Sequence, residues 1–165
     1  MKRSSVLAVV GLASLFQALL VGAQQPAPAA PARKGTLQLG NFSVSLTVKD
    51  LAKSRAFYEA LGFEEAGGEA QQGWIVLQNG ECKIGLFQGM FERNMLTFNP
   101  GWNSAKETLA EFTDVRELQE LLEGRGLTLD TRAEPLSNGP AFFTLTDPDG
   151  NPVLFDQHVP AADSK

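Results

Sequence analysis

The chain has 165 residues, with 14 basic and 19 acidic side chains and a formal net charge of −5. Acidic residues outnumber basic ones, and the sequence contains no cluster of basic residues. We therefore expect the protein to bind neither nucleic acid nor anionic membrane surfaces. The single cysteine, Cys82, rules out an internal disulfide bond, so the fold must be stabilised by an apolar core, which a chain of this length can form.

The first 23 residues have the pattern of a secretory signal peptide. Lys2 and Arg3 provide a positive start, an apolar stretch runs from Val6 to Val21, and the small residue Ala23 follows. An uncleaved membrane anchor is the alternative, but the stretch is short for a span of about 20 residues. We expect cleavage after Ala23 and a periplasmic or secreted protein with no membrane attachment.

Residues 24–38 are rich in Pro and Ala and are predicted to form an extended tether, since these prolines do not fit the interior of a helix or sheet. One domain is expected over residues 39–158, followed by a disordered tail at 159–165. The domain divides into a first module at about 39–89, a connector at 90–105 and a second module at about 106–158.

The first module is predicted to contain four strands and one helix. Strict alternation from Phe42 to Val48 indicates a strand with one apolar and one polar face. Asp50 is the expected N-cap of a helix that ends near Leu61 and Gly62. Three more strands follow, the last two joined by an Asn-Gly hairpin turn: Glu64–Ala66, Trp74–Gln78 and Cys82–Phe87.

The second module repeats this order. Asp114 is the predicted N-cap of a helix, and Gly126 follows it by twelve residues, as Gly62 follows Asp50. The strands and helix are expected at Glu107–Phe112, Val115–Glu123, Thr128–Thr131, Ala141–Leu145 and Pro152–Asp156, with a dense turn signal before the last strand. A repeat with an offset of 64 residues indicates two supersecondary units that pack together.

Two segments, SLTVKDLAKSRAFYEALGF and LTDPDGNPVLF, resemble the vicinal-oxygen-chelate superfamily of glyoxalases, bleomycin-resistance proteins and extradiol dioxygenases. The resemblance spans about Phe42 to Gln157. It implies an α+β fold in which two βαβββ modules, with curved mixed sheets, form an open cup. In metal enzymes of the superfamily, His and Glu side chains in the cup hold a divalent ion. Metal-free members sequester ligands in grooves formed with a second subunit, which implies a homodimer here.

The resemblance places metal ligands at four positions, which here are Ser43, Gly85, Glu107 and Leu154. Only Glu107 carries a charged donor, and catalytic sites for such ions use about three protein ligands. We therefore predict no metal and no cofactor, with Glu107 as the candidate catalytic residue, acting as a general base if the protein is an enzyme. His158, the only histidine, follows the last strand and is expected to be solvated.

Strand alternation predicts which side chains face the cup. The expected ligand-binding residues are Ser43, Ser45, Thr47, Phe87, Glu107, Glu111, Leu154 and Asp156. With three carboxylates, this set favours a polar or cationic small ligand. The equally weighted alternative is that the carboxylates lie in water at strand ends, while Phe87 and Leu154 partly fill the cup.

The leading functional hypothesis is an exported protein that binds a small molecule in the cup without the usual divalent metal. The alternatives are a glyoxalase-like lyase or related enzyme using Glu107 with a non-standard or absent metal site, and an interaction module held near a partner. The apolar segment Met90–Trp102 is expected to pack between modules or across a dimer interface rather than to close over a ligand. Cys82 is expected to be a half-buried strand residue rather than a reactive thiol.

Overall fold

A computed structural model describes residues 37–161 of the chain, and the predicted signal peptide and most of the tether lie outside this range. The helices and strands are β1 (Asn41–Val48), α1 (Leu51–Ala60), β2 (Glu64–Glu69), β3 (Trp74–Asn79), β4 (Cys82–Gln88), β5 (Met95–Asn99), α2 (Val115–Gly124), β6 (Leu129–Thr131), β7 (Ala141–Thr146) and β8 (Pro152–Gln157). A short 3-10 helix at Ala70–Gln72 precedes β3.

The eight strands form one mixed sheet in the order β2-β3-β4-β1-β5-β8-β7-β6. In each half a parallel pair lies innermost, β1 with β4 and β5 with β8. The two halves join through the antiparallel pair β1 and β5, in which Ser43 lies opposite Thr97. Each half is a βαβββ unit, so the predicted α+β fold with two such modules is confirmed.

The first strand of the second module is β5, so the predictions of a strand at Glu107–Phe112 and of a connector at 90–105 are wrong. In the first module the helix cap follows its strand almost at once, whereas residues 100–113 separate β5 from α2. The backbone of this loop is held by an isolated bridge between Trp102 and Thr108 rather than by a strand. The repeat of the Asp-capped helix pattern correctly predicted the position of α2 but not the position of the strand before it.

Both helices begin at the predicted caps. A carboxylate oxygen of Asp50 accepts a hydrogen bond from the N–H of Lys53 at 3.0 Å, and one of Asp114 accepts from the N–H of Arg116 at 2.9 Å. These bonds satisfy amide groups that have no partner within the first turn. Neither helix in residues 37–161 has the length and apolar character needed to cross a membrane.

The helices cover one face of the sheet. Under α1, Leu51 and Tyr58 pack against a buried cluster of Ile75, Leu77 and Leu86. Under α2, a larger cluster joins the helix to β6, β7 and β8; it consists of Val115, Leu118, Leu122, Leu129, Ala133, Phe143, Leu145 and Phe155. Because side chains alternate between faces along a strand, the neighbours of these core residues project from the opposite face.

Packed structure extends beyond the predicted domain limits at both ends. Leu37, assigned to the tether, packs against the cluster under α2. Val159, assigned to a disordered tail, is buried, and its carbonyl accepts a hydrogen bond from Gln157 at 3.1 Å. The N–H of Ala161 donates to the carbonyl of Asn138 at 2.9 Å. Leu37 and Val159 therefore pack with the folded domain, although they were assigned from the sequence to the tether and the tail.

Candidate ligand-binding site

The face of the sheet opposite the helices encloses a cavity of about 680 Å³. Alternate residues of β1, β3, β4, β5 and β8 form its floor, and residues between β4 and α2 form part of its wall. Residues from strands as far apart in the sheet as β2 and β8 line the same space, so the sheet is concave on this face.

One side of the cavity is aromatic. The rings of Trp74 and Phe87, which are cross-strand neighbours, lie nearly parallel with centroids 6.2 Å apart. Phe91 packs against Phe87 at 5.1 Å between ring centroids. Met90 and Met95 also line the cavity. This wall can stack on a planar apolar group, and the methionine side chains can adapt to its outline.

The centre of the floor carries two hydroxyl groups. Oγ of Ser45 and Oγ1 of Thr97 lie 2.8 Å apart, and both residues are at least 94% buried. The strand registers place Gly85 beside Ser45 and Leu154 beside Thr97. The centre of the floor therefore combines one hydrogen-bonded pair of hydroxyl groups with two neighbouring residues, Gly85 and Leu154, that have no polar side-chain group.

Two lysines line the other side of the cavity. Nζ of Lys83 on β4 donates to Oδ1 of Asn41 at a long 3.4 Å. Nζ of Lys106 lies 5.1 Å from the ring centroid of Trp102, in cation–π geometry. Burial disfavours the charged amine and lowers the pKa of Lys83, and the nearby positive charge of Lys106 lowers it further.

An acid and an imidazole lie beside these lysines. Oδ2 of Asp156 is 3.1 Å from Nε2 of His158, and the imidazole ring stacks on Trp102 with centroids 4.5 Å apart. His158 is exposed, as expected, and it also lines the cavity, which was not predicted from the sequence. The alternation of Leu154, Asp156 and His158, continued past the end of β8, is the sequence signal that could have found it.

The structure brings most of the predicted ligand-binding residues together. Those that line the cavity are Ser43, Ser45, Phe87, Leu154 and Asp156. Thr47 shares their strand face, but its hydroxyl donates to the carbonyl of Phe91 at 2.9 Å instead of lining the cavity.

Glu107 and Glu111 lie outside the lining, because strand alternation does not apply to the loop in which they occur. A carboxylate oxygen of Glu107 accepts a hydrogen bond from the side-chain amide of Asn103 at 2.8 Å, so its geometry supports a loop contact rather than a general base.

Sequence reasoning missed several residues of the site. The segment Met90–Trp102 was expected to pack between modules; its strand β5 does so, but Met90, Phe91 and Trp102 line the cavity. Lys83 shares its strand face with Phe87, so alternation could have included it. Cys82, expected to be half-buried, is exposed at the start of β4.

The residues of the cavity do not fit a divalent metal centre of the kind the superfamily resemblance implies. In the described part of the chain, no group of three or more His, Cys, Asp or Glu side chains is placed to hold an ion. At one expected ligand position, Gly85, the ring of Phe87 covers the α-carbon, so that a Cβ atom there would lie 2.5 Å from Cε2 of the ring. An aromatic side chain thus occupies space that a ligating carboxylate would need.

Residues 41–155 match the Glyoxalase/Bleomycin resistance protein/Dioxygenase superfamily, and the chain belongs to this superfamily. Similar solved structures include a Legionella pneumophila protein described as an NAD-dependent benzaldehyde dehydrogenase, with 18% identity over 71% of this chain and 98% of that chain and a TM-score of 0.53. A hypothetical protein from Bacillus halodurans has 15% identity over 77% of this chain and 98% of that chain and a TM-score of 0.51. At these identities the similarity shows the fold alone. Comparison with curated protein sequences gave no match.

Proposed function

We propose that this protein binds a small, planar, largely apolar compound in the cavity without the help of a divalent metal. The observation that carries the proposal is the position of the Phe87 ring, which lies over Gly85 and parallel to Trp74. The position at which the superfamily resemblance implies a metal-ligating carboxylate is therefore part of an aromatic wall.

The size and chemistry of the cavity support this proposal. Small-molecule sites in proteins have volumes of about 300–1,000 Å³ and combine apolar walls with a few polar groups. The cavity here, at about 680 Å³, has aromatic and methionine walls around the paired hydroxyls of Ser45 and Thr97. Because each of these hydroxyls already has a hydrogen-bond partner, an apolar ring can cover them at a lower cost than it could cover hydroxyls without a partner.

A neutral aromatic dye tests the binding function. Phenylnaphthylamine fluoresces when it leaves water, so a saturable rise in fluorescence is expected on addition of the protein. Val76→Phe places a ring in the cavity and should weaken this binding by about tenfold, a change of about 1.4 kcal/mol. Leu136→Phe is the matched control, since Leu136 is 90% exposed and lies outside the lining.

Absence of saturable binding to the unaltered protein contradicts the proposal. So does equal binding by the protein with Val76→Phe, provided that its unfolding midpoint shows it to be folded. Leu154→Phe, on the floor of the cavity, is a second filling variant in case the first does not fold.

Two further parts of the proposal come from the sequence: export with cleavage after Ala23, and assembly as a homodimer. Intact-mass measurement of protein exported by a Gram-negative host tests the first, and a mature chain that retains Met1 contradicts it. Sedimentation equilibrium tests the second, and a single monomeric species at all concentrations contradicts it.

A further inference from the structure

We infer that the ligand is an organic acid, whose anionic group binds between Lys83 and Lys106 while its apolar body lies on the aromatic wall of the cavity. This inference rests on the proposed function and names its ligand class. The sequence favoured a polar or cationic ligand; the inference replaces the cationic option with an anion, because Glu107 and Glu111 do not line the cavity.

The first support is that two ammonium groups line one cavity without a carboxylate partner. Among residues 37–161 neither Lys83 nor Lys106 forms a salt bridge, although Lys53, Arg55 and Arg116 do. Lys83 contacts an amide oxygen of Asn41 at 3.4 Å, which is long for a charge-assisted bond. Both ammonium groups thus retain capacity for an anion.

The second support is the repulsion between these groups. The pKa of Lys83 is lowered by burial and by the charge of Lys106, so the fold holds like charges close enough to oppose each other. An anion placed between them would relieve this repulsion and stabilise both charges. A bound acid is therefore the chemical class of ligand that would offset this repulsion.

The third support is the loop that presents Lys106. Its backbone has φ of 63°, in the left-handed region that a side chain other than glycine rarely adopts. Asn103 holds this conformation: its Oδ1 accepts from the N–H groups of Ala105 and Glu107 at 3.0 and 2.9 Å, and its carbonyl accepts from the N–H of Lys106 at 3.0 Å. Strained backbone that is braced in this way is commonly found at binding sites.

Negative groups near the lysines do not remove the positive character of this side. Asp156 lines the cavity but lies 3.1 Å from Nε2 of His158. Glu81 raises the pKa of Lys83, but burial and Lys106 outweigh it. Among these groups the lysines are the donors that remain for an incoming carboxylate or sulfonate.

A matched pair of dyes tests the inference: phenylnaphthylamine, which is neutral, and anilinonaphthalene sulfonate, which has the same rings with one added sulfonate. We expect the unaltered protein to bind the sulfonate at least about tenfold more tightly, which corresponds to one charge-assisted bond. Lys83→Met and Lys106→Met, which keep the apolar stem, should each weaken sulfonate binding by about tenfold and neutral-dye binding by less than about twofold.

Lys49→Met is the control variant, because it removes the same charge from an exposed residue outside the cavity. Lys106 is exposed and in a loop, so its variant is expected to fold even if that of Lys83 does not. If the neutral dye binds but neither cavity variant changes the preference for sulfonate, the inference is wrong and the proposed function stands. If neither dye binds the unaltered protein, both the proposed function and the inference that rests on it are wrong.

Discussion

The phenyl ring of Phe87 lies over Gly85, and a Cβ atom built on Gly85 would lie 2.5 Å from Cε2 of that ring. Both residues project from the cavity face of β4, two positions apart. The lack of a side chain at Gly85 lets the ring fold back against the floor, where it faces Trp74. The aromatic wall of the cavity therefore depends on a glycine in the strand.

Gly85→Ala is expected to lower the free energy of unfolding by about 1 kcal/mol, because the new methyl group must displace the Phe87 ring from its contact with Trp74. The cost should be much smaller when Phe87→Ala is made first, since the three atoms nearest to the new methyl group all belong to the Phe87 ring. Urea unfolding of the single and double variants measures this coupling. Equal costs in both backgrounds would show that the ring does not lie over Gly85.

Ser45 and Thr97 are expected to depend on each other, since their buried hydroxyls are mutual hydrogen-bond partners. Ser45→Ala alone leaves the Thr97 hydroxyl without that partner and should cost about 1–3 kcal/mol in the free energy of unfolding. Adding Thr97→Val removes the unsatisfied group, so the double variant should be less destabilised than the sum of the two single variants. A double-mutant cycle in urea is the measurement, and strictly additive costs would contradict the pairing.

Chelation is expected to leave the melting temperature unchanged. A metal that binds only the folded state raises the melting temperature by mass action, and a chelator reverses that effect. The described residues bring together no three-donor group that could produce it. Melting curves with excess chelator, and then with zinc, nickel or manganese, make the comparison. A reproducible loss of several degrees that one metal restores would show that the protein does hold an ion.

Asp147 is expected to make stability depend on pH in the acid range. Its pKa is lowered from the usual 3.8 because the carboxylate accepts hydrogen bonds from the side chain of Asn151, at 2.8 Å, and from nearby backbone N–H groups. The charged form is favoured in the folded state, so its contribution is present above pH 3.8 and is lost as pH falls through the lower folded pKa.

Asp147→Asn should therefore reduce the decline in unfolding free energy between about pH 5 and pH 2, while it lowers stability at neutral pH. Unfolding in urea at both pH values measures this. Asp149→Asn removes a charge from the same turn and serves as the control. Indistinguishable pH profiles for the original protein and the Asp147 variant would contradict the expected role.

The fold follows closely from local patterns in the sequence. Alternation from Phe42 to Val48 predicted β1 and its polar face, and Asp50 and Asp114 predicted both helix starts. These patterns can be recognised in the sequence because each depends only on nearby residues. Side chains alternate between the two faces of a strand, and a capping side chain accepts hydrogen bonds from backbone N–H groups two or three residues away. The repeat of these patterns predicted two modules, and the two segments that resemble the superfamily predicted membership in it.

The composition of the site depended on contacts between distant parts of the chain. Thr97 pairs with Ser43 on one side and with Leu154 on the other, and only these pairings place β5 at the centre of the sheet. Lys106 reaches the cavity through a loop conformation without a periodic signal. The sequence by itself thus determined both helices and the two faces of β1, because these follow from local backbone geometry. Tertiary structure decided that Lys106, rather than Glu107 or Glu111, lines the cavity, because that depends on where a non-periodic loop packs against the completed sheet.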